Sequence, residues 1–167
     1  MDILFTHGVD LESFKKYYQV IFGKVGDTEL DIIKENPDHL ITFHSEDAIL
    51  GHCIWHDSNT RSHPNGAPRD DKDRQILEDE LGVIGDFTEL HELWIEEEKR
   101  GRGLGTFFFD YFENMVESRG IRYIVYYADH PAALSICRKR GYRESYGVEL
   151  DGITGEGGVF YVLAKEL

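Results

Sequence analysis

Residues 89–116 read ELHELWIEEEKRGRGLGTFFFDYFENMV, and three segments follow one another in them. Glu89 to Ile95 alternates polar and apolar residues, with Glu89, His91, Leu93 and Ile95 on one face, the period-2 pattern of a strand. Arg100-Gly101-Arg102-Gly103-Leu104-Gly105 is a turn holding two cations and three glycines. From Leu104 the apolar residues fall at 104, 108, 111, 112 and 115, the spacing of a helix with one buried face. A strand, a glycine turn and a helix together make an anion site. The glycines let the backbone come close, and the N–H groups of the helix's first turn point at the anion.

Several phosphate-binding loops use glycine in this way, and spacing separates them. A Walker loop needs Gly-Lys-Ser/Thr, whereas Gly105 is followed directly by Thr106. A dinucleotide fingerprint places its glycines at other offsets and opens a βαβ unit early in the chain. Arg-x-x-Gly-x-Gly is matched by Arg100, Gly103 and Gly105. On this motif, with its strand before and helix after, the chain resembles the GNAT superfamily of N-acetyltransferases. There the loop cradles the pyrophosphate of acetyl-CoA, so the resemblance implies that role for Gly101 to Thr106.

The remaining composition agrees with one domain over residues 1–167, a length that buries about 70% of the unfolded surface. Hydrophobic content of 41% with 13% aromatics suits a packed core. No apolar run approaches the roughly 20 residues of a membrane span, and the first residues lack the basic segment and long apolar core of a signal peptide. Cys53 and Cys137 form no CxxC pair and point to reduced thiols in a cytoplasm. A net charge of −14 argues against nucleic acid as a partner and suits either a cationic substrate or plain solubility.

In chain order, Met1 to Thr6 reads as a short strand. Asp10 caps a helix with Leu11, Phe14, Tyr18 and Ile21 on one face, ending at Gly23. A second helix over Thr28 to Glu35 is stopped by Pro37. Leu40 to Phe43 and Ala48 to Trp55 form a hairpin turning at Ser45-Glu46-Asp47. Residues 56–86 insert about thirty positions before the next strand, with a small helix around Arg74 to Leu81, and a connection of this length is functional or mobile. A lid that orders over the acceptor, a flexible excursion and a homodimer contact are its possible roles. His52, His56, Asp57 and His63 match no metal-ligand spacing, so no metal is expected. Ile121 to Tyr127 is a central strand. Asp129 or His130 caps a helix with Pro131 at its first position and Arg138, Lys139 and Arg140 in its last turn. Glu144 to Leu150 and Val159 to Ala164, joined by a glycine-rich turn, close the chain.

The expected fold is therefore α/β of the α+β type. It is the GNAT fold, a mixed, mostly antiparallel, twisted central sheet of about six to seven strands flanked by helices, as the resemblance implies. Acetyl transfer to an amine needs a bound thioester, a neutral amine and a proton for the departing thiolate. The resemblance places a general base on the fourth strand, at Glu89 or His91. An imidazole titrates near working pH, which favours His91; Glu89 needs burial to act. Glu92 lies on the other face by strict alternation and becomes a third candidate if the strand carries a bulge. By the same resemblance the backbone of Leu93, Trp94 and Ile95 holds the pantetheine arm, Arg100 and Arg102 flank the pyrophosphate turn, and His130 lies at the cofactor. The family's Asn-x-x-Ala-x-x-x-Tyr-x-x-x-Gly-Phe is represented by His130, Ala133, Cys137, Gly141 and Tyr142. Cys137 thus stands where a tyrosine protonates the thiolate, leaving the general acid open among Cys137, another tyrosine and water. The function implied is transfer from acetyl-CoA to a primary amine on a small molecule or protein. The alternative is a non-catalytic acyl-CoA sensor of the same fold.

Overall fold

Helix ends form where the local chemistry provides for them. The Asp10 side chain accepts from the Ser13 N–H at 2.9 Å and starts α1 (Leu11–Phe22), and Gly23 ends it at φ 88°. A computed structural model describes residues 2–46, 48–149 and 159–167. Met1, Asp47 and the expected glycine-rich turn before Val159 lie outside the described residues.

Among the described residues, seven strands hydrogen-bond in the order β1-β2-β3-β4-β5-β7-β6, and five α-helices connect them. The strands are β1 (Leu4–His7), β2 (Leu40–Ser45), β3 (Ala48–Asn59), β4 (Asp86–Ile95), β5 (Tyr123–Ala128), β6 (Arg143–Glu149) and β7 (Val159–Glu166). β4 and β5 pair in parallel at Thr88–Leu90, and the other registered pairs are antiparallel. Parallel neighbours require a long crossover. Here α4 (Leu104–Ser118) supplies it, so the glycine turn opens the crossover. The buried stripe of α4 is Leu104, Phe108, Phe109, Phe112 and Val116, while Tyr111 and Met115 are half-buried. The face is rotated by one position from the expected one, because three consecutive phenylalanines satisfy either stripe.

The contacts divide the chain into two compact units. The first comprises residues 1–56 and 91–102. Its core joins Phe14 and Tyr18 of α1, Val25 before α2 (Asp27–Glu35), Ile33 of α2, Leu40 of β2 and Ile54 of β3. Since Leu40 and Ile54 are register partners, α1 and α2 pack on the same face of these strands.

The second unit comprises residues 57–90 and 103–167. Part of the insertion is built into its core: Ile76, Leu77, Leu81 and Val83 pack with Phe87, Tyr123, Val125, Val162 and Ala164. α3 (Asp71–Gln75), capped by Asp70, runs into a π turn over Ile76–Glu80, where Leu81 N–H bonds Ile76 C=O. Arg69 pins the preceding loop. Its side chain, 4% exposed, donates to Ser58 Oγ at 2.8 Å, Asn59 C=O at 3.0 Å and Asp73 at 2.6 Å, and lies over the Phe87 ring. Tyr127 of β5 donates to the other oxygen of Asp73 at 3.0 Å. Elsewhere in this unit α5 (Pro131–Lys139) ends beside Arg140, which with Lys165 pairs Glu113 of α4.

Removing one partner of a buried charged network leaves the others desolvated and unpaired. Arg69→Ala is therefore expected to lower unfolding stability by about 3 kcal/mol or more, and Arg69→Lys to recover only part of it. Urea denaturation of the three proteins measures this; an unchanged midpoint for Arg69→Ala would show that Arg69 does not brace the loop.

Candidate active site

The expected strand over Glu89 to Ile95 is the carboxyl-terminal part of β4, but its alternation does not run through. His91 Nε2 lies 3.3 Å from Glu29 Oε1 of α2, and its ring is 5.9 Å from that of His56. Glu92 Oε2 lies 2.6 Å from His52 Nε2 on β3, and Glu92 Oε1 accepts from the Tyr18 hydroxyl of α1 at 3.1 Å. His52, Ile54 and His56 share one face of β3 by alternation, the face that Ile54 turns to α1 and α2. Adjacent residues of β4 therefore both point to that side, the re-aiming that a bulge produces. Beyond the break the phase stays shifted: the Trp94 ring stacks on His52 and packs edge-on against Tyr17 and Phe22. Strict alternation from Glu89 to Ile95 is thus corrected, and Glu92 joins His91 on one side.

A missing side chain makes room for this path. At Gly51 of β3 a Cβ would collide with the Trp94 carbonyl oxygen and come within 3.1 Å of the Ile95 Cα. The Glu96 N–H, just past the strand, bonds Leu50 C=O at 2.7 Å.

Two carboxylate–imidazole pairs result, with roles reversed. In the first, β4 contributes the imidazole and α2 the carboxylate. The hydrogen bond from His91 holds the Glu29 carboxyl below the usual carboxylate range, against the opposing pull of burial. A carboxylate only accepts, so His91 donates Nε2–H to Glu29. In the second pair, β4 contributes the carboxylate and β3 the imidazole. His52 is 0% exposed and Glu92 26% exposed, so the carboxylate is the member that solvent reaches. Burial, with Glu92 nearby, pushes the hydroxyls of both Tyr17 and Tyr18 well above the usual range, and both remain donors.

The turn that follows has the expected form. Gly101 and Gly103 have φ of 75° and 81°, the left-handed region that favours glycine. Arg100 Nε donates to Ile95 C=O at 2.9 Å, which folds its side chain back along the turn. Gly103 caps α4 without a side-chain hydrogen bond, and no acidic residue stands in the first turn. The first-turn N–H groups of Leu104, Gly105 and Thr106 have no acceptor within their own helix. Such an end favours an anion.

By unit, His91 to Ile95 and Arg100 to Arg102 belong to the first, and Glu89, Gly103 to Thr106 and His130 to the second. Glu89 is half-buried and in register with Val125 of β5. His130 caps α5, its Nδ1 accepting from the Ala132 N–H at 3.2 Å. Cys137 is fully buried, and burial, with Glu113 nearby, pushes its thiol up to about 12. Glu29, His52, Tyr17 and Tyr18 were not expected as site residues. The signal for His52 is its place on the Ile54 face of a strand.

No protein-family model and no curated protein sequence matches the chain. Solved structures do. A mosquito arylalkylamine N-acetyltransferase-like protein aligns over 99% of this chain and 100% of its own at 13% identity, with a TM-score of 0.71. A polyamine N-acetyltransferase of Drosophila melanogaster aligns over 99% and 100% at 12% identity, TM-score 0.70. Naa50 of Arabidopsis thaliana, in complex with a bisubstrate analogue containing CoA, aligns over 100% of both chains at 14% identity, TM-score 0.71. Matching end to end, seven-stranded mixed sheet included, the chain has the GNAT fold of these N-acetyltransferases.

Proposed function

We propose that this protein is an N-acetyltransferase that moves the acetyl group of acetyl-CoA to a primary amine. The observation that carries this reading is the pair of adjacent β4 residues, His91 and Glu92, each in its own carboxylate–imidazole pair on one side of the strand. The glycine turn supplies backbone donors for the pyrophosphate, and the backbone of Leu93 to Ile95 suits the pantetheine arm. The likeness to structures of arylalkylamine and polyamine N-acetyltransferases supports an amine acceptor. Two buried free thiols, Cys53 and Cys137, suit a reducing cytoplasm.

In direct transfer the amine nitrogen bonds to the acetyl carbon, the carbon–sulfur bond breaks, the amine loses a proton and the thiolate gains one. An alkylamine arrives as its ammonium ion. Glu92, partly exposed and fixed by two donors, docks that ion. His91 takes the proton, with Glu29 behind it to orient the ring and stabilise the imidazolium. Glu89 stands second as a base on the same strand. The thiolate then takes its proton from the imidazolium or from water, because Cys137 is buried and its thiol holds its proton tightly.

Cys137 also favours a second reading, a non-catalytic acyl-CoA sensor that keeps the turn without the proton donor. Thiol release from acetyl-CoA across a panel of primary amines separates the two. Release with none of the amines, together with tight acetyl-CoA binding, identifies the sensor.

Gly103→Glu or Gly105→Glu is expected to abolish acetyl-CoA binding in a folded protein, since a side chain and a negative charge enter the anion site. Calorimetry giving wild-type affinity would remove the turn from the site.

His91→Ala is expected to cut kcat/KM by about 10²–10⁴-fold at neutral pH. That loss should shrink as pH rises and more of the amine arrives neutral. Glu29→Gln should cost less and follow the same trend. A loss that stays constant from pH 7 to 10 would assign His91 to acceptor positioning.

A further inference from the structure

His52 is a fully buried histidine to which the proposed chemistry assigns no task. It lies at the centre of an aromatic cluster, with ring centroids 5.4 Å from Phe14, 5.7 Å from Tyr17, 5.6 Å from Tyr18 and 6.2 Å from Phe22. Both of its ring nitrogens are engaged: Nε2 with Glu92 at 2.6 Å and Nδ1 with the Tyr17 hydroxyl at 3.3 Å. A packing residue at this place needs no polar atom, because phenylalanine fills similar space without a desolvation cost.

We propose that His52 is a positioning residue for acceptor binding: held by Tyr17 in its Nε2–H tautomer, it fixes the Glu92 carboxylate to receive an alkylammonium ion. This rests on the reading of Glu92 as the acceptor's docking group. Tyr17 keeps its proton and donates to Nδ1, leaving Nε2 as the protonated nitrogen, which donates to Glu92 Oε2. Tyr18 donates to the second oxygen. Each oxygen accepts one hydrogen bond from the protein and keeps a lone pair for the ligand. The wall beside the carboxylate is aromatic: Phe22, 47% exposed, packs against Tyr18 and Trp94 with centroids 4.9 Å and 5.5 Å away. A carboxylate beside ring faces suits an ammonium group on an apolar stem.

The test uses the full-length protein in two arms. Long-range 1H–15N NMR of the histidine rings reads the tautomer. Nε2–H is expected for His52, with a saturable shift on adding methylammonium chloride that sodium chloride does not produce and that is absent in Glu92→Gln. An Nδ1–H tautomer, or no specific shift, overturns the proposal, and this arm needs no turnover. In the kinetic arm, His52→Phe is expected to raise the acceptor KM by roughly tenfold to a hundredfold, the scale of losing one member of a charged hydrogen bond. The acetyl-CoA KM should stay within about twofold. His52→Gln, whose amide replaces the Nε2 donor, should recover most of the loss. His52→Phe in the Glu92→Gln background should cost nothing further. Additive losses, or no recovery by glutamine, would make His52 a packing residue only. If His52→Phe does not fold, Tyr17→Phe replaces it with the same expected direction. Absence of thiol release with every amine, beside the expected NMR result, would sink the transferase reading and leave the role of His52 standing.

Discussion

His91 and Glu92 are neighbours in one strand, yet both side chains turn to the side that carries α1 and α2, and the proposed chemistry depends on that departure from alternation. In a regular strand, consecutive residues face opposite sides of the sheet, and only one of the two would reach the side of α1 and α2. The break places an imidazole and a carboxylate on consecutive backbone units, with Cα atoms about 3.8 Å apart. It is sustained from both sides: Gly51 leaves room for the displaced Trp94–Ile95 backbone, and Glu29 and His52 hold the two re-aimed side chains.

The two pairs handle burial differently. Glu29 and His91 are each partly exposed, at 23% of side-chain area, and water shares in solvating any charge that His91 gains. Glu92 and His52 are unequal. The imidazole is wholly enclosed, and the aromatic rings around it leave its hydrogen bonds to Glu92 and Tyr17 to satisfy its polar atoms. A buried polar network with every member satisfied is rigid, which suits the task of holding a carboxylate still.

Local chemistry made much of the fold legible. Asp10, Gly23, His130 and Pro131 announce helix ends through hydrogen bonds and backbone angles spanning a few residues, and the glycine turn announces itself through two positive φ angles. The stripe of α4 was read one position off because Phe107, Phe108 and Phe109 leave the phase open. The break at Glu92 carries no glycine or proline to mark it. The room for the path beyond it lies in β3, at Gly51, some forty positions earlier in the chain. The sequence of the insertion reads as loop and short helix, because periodicity over so few residues does not reveal that Ile76, Leu77, Leu81 and Val83 belong to a core.

The side-chain hydrogen bonds of the site have one further property. Tyr17–His52 spans 35 positions, His52–Glu92 40, Glu29–His91 62 and Tyr18–Glu92 74. The three that involve His91 or Glu92 cannot form while the chain is shorter than 91 residues, and each of the four closes a long loop whose entropy must be met before the bond returns anything. A chain emerging from the ribosome thus completes α1, α2 and β3 before the proposed site can assemble. If the proposed transfer occurs at this site, activity reports that distant segments have met, and catalysis becomes a read-out of completed folding.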